Sequence, residues 1–404
     1  MNTLTCYSDS GGSPIDALNI SISYYEVLGV GPNAEADTLR KAYRRLAQKH
    51  HPDVSSDPRA HENMARINEA FETLIDPARR HEYDAVLNGA GGIGVKAEPE
   101  RQRRPVRIKL RRRLEGHKTP VYAAAFSPDS GQLVSSGFDN ELLWWDDAGF
   151  PSRKAKVDQG VIATLRAFSL DRVAGAGSAE NQVNYVRLDE DKVDAWKTAT
   201  EEWVGAVAIS PDGSRVATGS IYNTVSVIDT DSGECLFRNA THDGSVMAVA
   251  WSWDGNILAT GGADAKVHLF HGRTGEKLGT LVQLRSAVTS LAISPNGRYL
   301  AAAGVDLSIR VFDLTKGELV KMMSGHTKVI ESLAFHPNSW LFASASRDGT
   351  VGLWNAAKGI GNVRIECSSR PINVVAFSFD GTRLAAAGQD KLVRLYEVIA
   401  KDQA

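Results

Sequence analysis

Two groups of residues in this 404-residue chain have the types that chemistry uses. The first combines imidazole, hydroxyl and carboxylate: His117, Ser135 and Asp139, then again His326, Ser344 and Asp348. Those are the types of a nucleophilic relay, in which a histidine takes a hydroxyl proton and a carboxylate orients the histidine. In both sets His precedes Asp by 22 residues, and a tryptophan, Trp145 or Trp354, stands six residues past the Asp. A partial set is His242, Thr260 and Asp264, with Phe270 where the others have Trp. A set that recurs with the fold period belongs to the repeating fold, so no catalytic residue is assigned. The second group is His51-Pro52-Asp53, at the end of a basic stretch holding Arg40, Lys41, Arg44, Arg45 and Lys49. A helix there carries a cationic face into a proline-punctuated turn bearing a carboxylate, which suits docking on an acidic partner. It has no metal ligand set, nucleophile or phosphate cradle beside it, so no cofactor and no metal are expected.

The elements that position these groups fall into two regions. Length alone points to two or three domains, and the 43% hydrophobic and 23% charged contents are globular values. A net charge of −2 exerts no general pull on nucleic acid or anionic membrane. Cys6, Cys235 and Cys367 are far apart and odd in number, which argues against a disulfide framework or a structural zinc site and fits a reducing compartment. No signal peptide and no apolar run of membrane-spanning length is visible, and a cytoplasmic location is expected.

Residues 1–21 are rich in Ser, Gly and Asn and are expected to be loose. Tyr24 to Leu28 reads as a short helix stopped by Gly29, Gly31 and Pro32. A second helix is predicted from about Asp37 to His50, with Leu39, Tyr43, Leu46 and His50 on one face and most of the cations off it. Taken alone, such charges read as a solvated face. A third helix is predicted from about Arg59 to Leu74, with Met64, Ile67, Ala70, Phe71 and Leu74 apolar, and a short fourth from Asp76-Pro77 through Tyr83. The two long stripes would zip into an antiparallel helical hairpin.

Residues 22–87 resemble the J-domain of the DnaJ family. The match runs in order through Tyr24-Tyr25-Glu26-Val27-Leu28-Gly29-Val30, the basic helix, His51-Pro52-Asp53, Ile67-Asn68-Glu69-Ala70-Phe71-Glu72-Thr73-Leu74 and Arg80-His81-Glu82-Tyr83-Asp84. The resemblance implies docking on a heat-shock chaperone of the DnaK class and acceleration of its ATP hydrolysis. Arg40, Lys41, Arg44, Arg45 and Lys49 would steer the encounter, Asp53 would engage a cation, and His51 and Pro52 would shape the loop. Two departures are Glu35 where a helix-capping Ser is common, with Asn33 as the alternative cap, and His50 where an aromatic is usual. The zinc module and client-binding β-domains of full DnaJ chaperones are not seen in the chain, so clients would be chosen by another route.

Residues 88–105 are Gly-rich, then charged, then proline-punctuated, which reads as a linker. Eight Lys or Arg residues lie between Arg101 and Arg113, but no aromatics interleave to stack bases. A linker running into an edge strand is preferred to a nucleic-acid arm. Beyond it, aligned turn positions fall at Asp139, Glu180, Tyr222, Asp264, Asp306, Asp348 and Asp390, spaced by 41 residues once and 42 thereafter. Ser-Pro-Asp-Gly-like turns such as Ile209-Ser210-Pro211-Asp212-Gly213 separate short β-branched runs.

These repeats resemble the WD-repeat family, which implies a seven-bladed β-propeller over residues 106–404. In that family His117, Ser135, Asp139 and Trp145, and likewise His326, Ser344, Asp348 and Trp354, would be blade-locking sets. The last repeat ends too early for a fourth strand, so residues 106–114 are expected to supply it, with Ile108 and Leu110 inward and Arg107, Lys109 and Arg111 outward. The repeats around Glu180 and Tyr222 lack both Gly-His and Trp. The family resemblance places partner contacts on the narrow face, at Tyr122, Phe138, Trp203, Ile221, Met247, Val305, Glu331 and Arg347. The expected whole is multidomain: an all-α J-domain followed by an all-β seven-bladed propeller. It reads as a co-chaperone whose propeller selects a client protein or tethers the machine. The alternative is a WD-repeat scaffold in a multiprotein complex, with the J-domain only as a tether.

Overall fold

The computed structural model describes residues 28, 30, 34, 36–50, 64, 67, 68, 70, 71, 74, 75 and 80. It also describes 107–399 apart from 130, 158–161, 170, 180, 190, 191, 283 and 359. Two units separate, one of Asn19–Arg101 and one containing Gln102–Ala404.

In the smaller unit, helix α1 spans Ala36–His50. Leu39, Ala42, Tyr43 and Leu46 recur at i, i+3, i+4 and i+7, so one stripe faces a core. Leu39 and Ala42 are buried there with Leu28, Ile67, Ala70 and Leu74. The Tyr43 ring stacks on Phe71 with centroids 4.2 Å apart, and its hydroxyl donates to Asn68 Oδ1 at 3.0 Å. Arg80 donates to the carbonyl of Ala34 at 2.9 Å. His51-Pro52-Asp53, the side chains of Lys49 and His50, and the capping choice between Asn33 and Glu35 lie outside the described residues.

Among its described residues the larger unit shows 28 strands, numbered β1–β28 in chain order, in seven four-stranded antiparallel sheets. Successive innermost strands lie side by side around a ring, and β2 (Val121–Phe126) of the first blade meets β26 (Ile372–Phe377) of the last. This is a seven-bladed β-propeller. Each blade is sandwiched between its neighbours, so strands second from the axis are buried on both faces. They therefore read as small and apolar throughout, as in β19 (Tyr299–Gly304, YLAAAG) and β23 (Leu341–Ser346, LFASAS). The turns are pinned by buried serines: Ser210 Oγ accepts the Arg215 N–H at 2.9 Å, and Ser294 Oγ accepts that of Tyr299 at 2.8 Å. Gly213 sits in those turns at φ +76°, where a side chain would be strained.

The ring closes through β1 (Arg107–Leu114), which pairs antiparallel with β28 (Val393–Ile399) in the last blade. One expectation for this strand is corrected. Ile108 is half-buried, but Leu110 is 39% exposed rather than inward, and the buried anchor is Leu114. The cause is twofold. Blades splay outward from the axis, so an outermost strand has little to pack against. The register also shifts between Leu110 and Arg112, which breaks the alternation.

Candidate functional site

The recurring His, Ser and Asp residues converge as blade locks. In blade 6, Asp348 can only accept, so His326 Nδ1 carries the proton it shares with that carboxylate at 3.0 Å. His326 Nε2 is then the acceptor for the Ser344 hydroxyl at 2.6 Å, and Ser344 Oγ accepts the Trp354 indole N–H at 2.7 Å. Asp348 also accepts the backbone N–H of Thr327 at 2.9 Å. Blade 1 repeats the pattern. Ser135 Oγ lies 2.8 Å from both His117 Nε2 and Trp145 Nε1, and His117 Nδ1 is 3.4 Å from Asp139. Blade 4 holds His242 at 3.1 Å from Asp264 and 2.9 Å from Thr260 Oγ1.

Electrostatics follow from burial. Desolvation lowers the pKa of His117, His242 and His326 despite the neighbouring carboxylates, so the imidazoles stay neutral. For Asp139, Asp264 and Asp348 burial acts upward, but backbone N–H groups and the histidines outweigh it and hold these carboxyls low. Ser135 and Ser344 are fully buried, with the serine oxygen committed to the indole. The arrangement is a relay in composition and a lock in geometry.

Sequence reading missed a second lock. Blades 5 and 7 lack the histidine: Leu284 and Ser368 stand 22 residues before Asp306 and Asp390. An arginine four residues past the turn Asp takes over. Arg310, 2% exposed, donates to Asp306 Oδ2 at 2.7 Å and to Ser308 Oγ at 2.6 Å, and Arg394 pairs with Asp390. The signal was available as an Asp-to-Arg spacing of four in the two repeats that keep the turn Asp without its His. Blades 2 and 3 are joined by aromatics instead. Tyr185 stacks on Trp196 at 5.3 Å, and the Trp196 indole donates to the Thr230 carbonyl at 2.9 Å.

One face of the ring is built by a repeated device. In six blades the register of the innermost strand shifts after its first residue, as between Val121 and Ala123, Val246 and Ala248, and Ile330 and Ser332. The skipped residue is a bulge, which re-aims its side chain. Tyr122, Met247 and Glu331 are such residues, as are Gly205, Thr289 and Asn373, and together they ring a depression of about 640 Å³. Beside it, the residue ahead of each turn position is tied down through its backbone. Phe138 N–H donates to Pro120, Ile221 to Trp203, Val305 to Ala287 and Arg347 to Val329. Phe138 and Trp203 are 58% and 53% exposed, and Ile221, Met247 and Val305 are exposed too. Tyr122 is half-buried against Phe138, with rings 6.3 Å apart, and Glu331 is half-buried and paired with Arg347. The face is therefore apolar over blades 1, 3, 4 and 5 and charged at blade 6. Thr289 and Asn373 escaped sequence reading because a bulge is set by strand pairing.

On α1 the cations Arg40, Lys41, Arg44 and Arg45 are all exposed, opposite the buried stripe. A rigid helix so presented can meet an acidic surface with several charges at once.

Comparison with known proteins agrees with these two assemblies. A family model described as "DnaJ domain" matches residues 23–84. One described as "WD domain, G-beta repeat" matches 108–146, 195–229, 233–271, 275–313, 317–355 and 362–397, more than half of the chain. The chain belongs to the WD-repeat family and carries a DnaJ domain ahead of its propeller. Blade 2, whose β7 (Arg172–Ala179) and β8 (Gln182–Asp189) lie between two of the matched segments, has the fold without the repeat signature. Among relatives, a "Curved DNA-binding protein" of Coxiella burnetii is 46% identical over 122 residues, covering 30% of this chain and 36% of its own length. A "Chaperone protein DnaJ" of Dictyoglomus thermophilum is 54% identical over 61 residues, covering 15% and 16% respectively. Another "Chaperone protein DnaJ", of Halalkalibacterium halodurans, is 54% identical over 78 residues, covering 18% and 21%. The chain thus spans about a third or less of these relatives.

Proposed function

We propose that this protein is a co-chaperone: its J-domain docks on a DnaK-class chaperone and stimulates ATP hydrolysis there, while the propeller selects a client protein or tethers the pair to an assembly. The observation that carries the reading is the exposed cationic row Arg40, Lys41, Arg44 and Arg45, on a helix whose other side is locked into a core. Steering by such a row speeds and orients encounter more than it adds affinity. Lys49, His51, Pro52 and Asp53 complete the docking surface in this proposal. On the propeller, the proposed partner surface is the bulge-ringed face with Tyr122, Phe138, Trp203, Ile221, Met247, Val305, Glu331 and Arg347. Large apolar side chains gathered in the open on one face favour a protein partner. The J-domain is proposed to span 22–87; residues 1–21 and 88–105 on either side of it lie outside the described residues. The unpaired thiols of Cys235 and Cys367 suit a cytoplasmic setting.

The test is single-turnover ATP hydrolysis by a DnaK-class chaperone with and without the full chain. Stimulation that disappears in Asp53→Asn supports the activator reading. Equal turnover with the variant and the parent overturns it and leaves the J-domain as a tether.

A further inference from the structure

Blade 4 differs from every other blade at one place. The strand position four residues past the turn Asp holds Leu143 in blade 1, Arg310 in blade 5, Gly352 in blade 6 and Arg394 in blade 7. In blade 4 it holds His268, in a blade that already has a lock histidine. The two imidazoles meet edge to face with centroids 4.3 Å apart, and one ligand atom from each of His242, Asp264 and His268 lies within 4.8 Å of the others. We propose that His242, Asp264 and His268 form a site for a divalent transition metal of the zinc class.

Three observations support the assignment. First, His268 is 2% exposed and its Nδ1 is bonded to Thr280 Oγ1 at 2.8 Å, while its Nε2 is buried without a hydrogen-bond partner. A buried nitrogen in that condition is costly unless something uses it. Second, two imidazoles and a carboxylate are a zinc-type ligand set that leaves a fourth position for water. Bonds of about 2.0–2.1 Å place tetrahedral ligand atoms roughly 3.3 Å apart. His242 Nδ1 and an oxygen of Asp264 are already 3.1 Å apart, so His268 has to make most of the adjustment.

Third, blade 4 can release His242 Nδ1 at no net proton cost. Its proton has to leave Nδ1 for a metal to bind there. In blades 1 and 6 the tryptophan N–H occupies the serine oxygen. In blade 4 Phe270 has no N–H to offer, so Thr260 Oγ1 is open to accept. His242 can then change tautomer, donating from Nε2 to Thr260 at the existing 2.9 Å separation and turning Nδ1 to the metal. The Trp-to-Phe change that weakens this blade as a lock is what fits it for a ligand. Lys266 and Lys277 flank the site and oppose a cation, so binding weaker than that of a permanent structural ion is expected. The sequence expectation was of no metal, and the proposal departs from it because His242 and Asp264 read in sequence as lock residues and His268 as a strand residue.

The experiment is titration of chelator-treated full-length protein with zinc by calorimetry, and with cobalt by visible absorption, in parallel with His268→Leu. Leucine already occupies the equivalent position of blade 1, and circular dichroism checks the variant's fold. Other histidines are retained in the variant, so the difference reports this site. The expected result is one zinc equivalent weakened at least about tenfold by the substitution, a tetrahedral cobalt spectrum in the parent alone, and a zinc-dependent rise in thermal midpoint in the parent alone. Identical titrations for parent and variant overturn the proposal, as does an absence of zinc binding by the parent at millimolar metal.

Discussion

Replacing Ser344 by alanine removes one oxygen and orphans two buried groups, the Trp354 indole N–H and His326 Nε2. Both side chains are about 6% exposed, so water cannot replace the lost partner. An unsatisfied buried polar group costs about 1–3 kcal/mol, so Ser344→Ala should cost roughly 2–6 kcal/mol. Blade 4 supplies the internal scale. Thr260 Oγ1 serves His242 alone, because Phe270 carries no donor. The near-isosteric Thr260→Val therefore orphans one group and should cost about 1–3 kcal/mol. Ser135→Ala should match Ser344→Ala, since Ser135 also bonds both His117 and Trp145. Urea unfolding of the full chain, followed by tryptophan fluorescence and far-ultraviolet circular dichroism, reads these as shifts in the propeller transition. The lock reasoning fails if Ser344→Ala stays within about 0.5 kcal/mol of the parent, or if Thr260→Val costs as much as the serine substitutions.

The arginine locks should also be costly to break. Arg310→Met takes the buried cation from Asp306, which solvent still reaches, and leaves Ser308 without its donor; it should destabilise by about 1–3 kcal/mol, with Asp306→Asn in the same chain recovering part of it, and an effect under about 0.5 kcal/mol in urea unfolding would contradict the assignment. Acid sensitivity follows from the same pair. Burial acts to raise the Asp306 carboxyl, but Arg310 and Ser308 prevail and hold it down to about 2 against an ordinary 3.8. The unfolded chain therefore takes up the proton first as pH falls. This contribution is whole above pH 3.8 and is lost on descending to pH 2. Unfolding measured between pH 4 and 2 should be less steep in pH for Arg310→Met than for the parent, and equal slopes would contradict the linkage.

What the sequence determined by itself is whatever repeats or is local. The spacing of 42 residues set the number of blades, because each period must supply one sheet that cannot bury its faces alone. The 3.6-residue period of α1 separated Leu39, Ala42, Tyr43 and Leu46 from the cations, because neighbours on a helix face are fixed by the helix itself. The two full His-Ser-Asp-Trp locks were legible because all four members recur at constant spacing within one repeat. Blade 2 was harder to read, since β7 and β8 form a sheet without any of those residues, joined to blade 3 through Tyr185 and Trp196. Tertiary structure alone decided three things. It shifted the register of β1 on β28, a pairing the sequence had led one to expect, and left Leu110 exposed on an outermost strand. It chose which residue of each innermost strand became a bulge, and so which side chains ring the depression. It brought His268 against His242 across neighbouring strands, a meeting set by register. Backbone periodicity can be read from one strand at a time, but register and blade contact exist only once two strands have been paired.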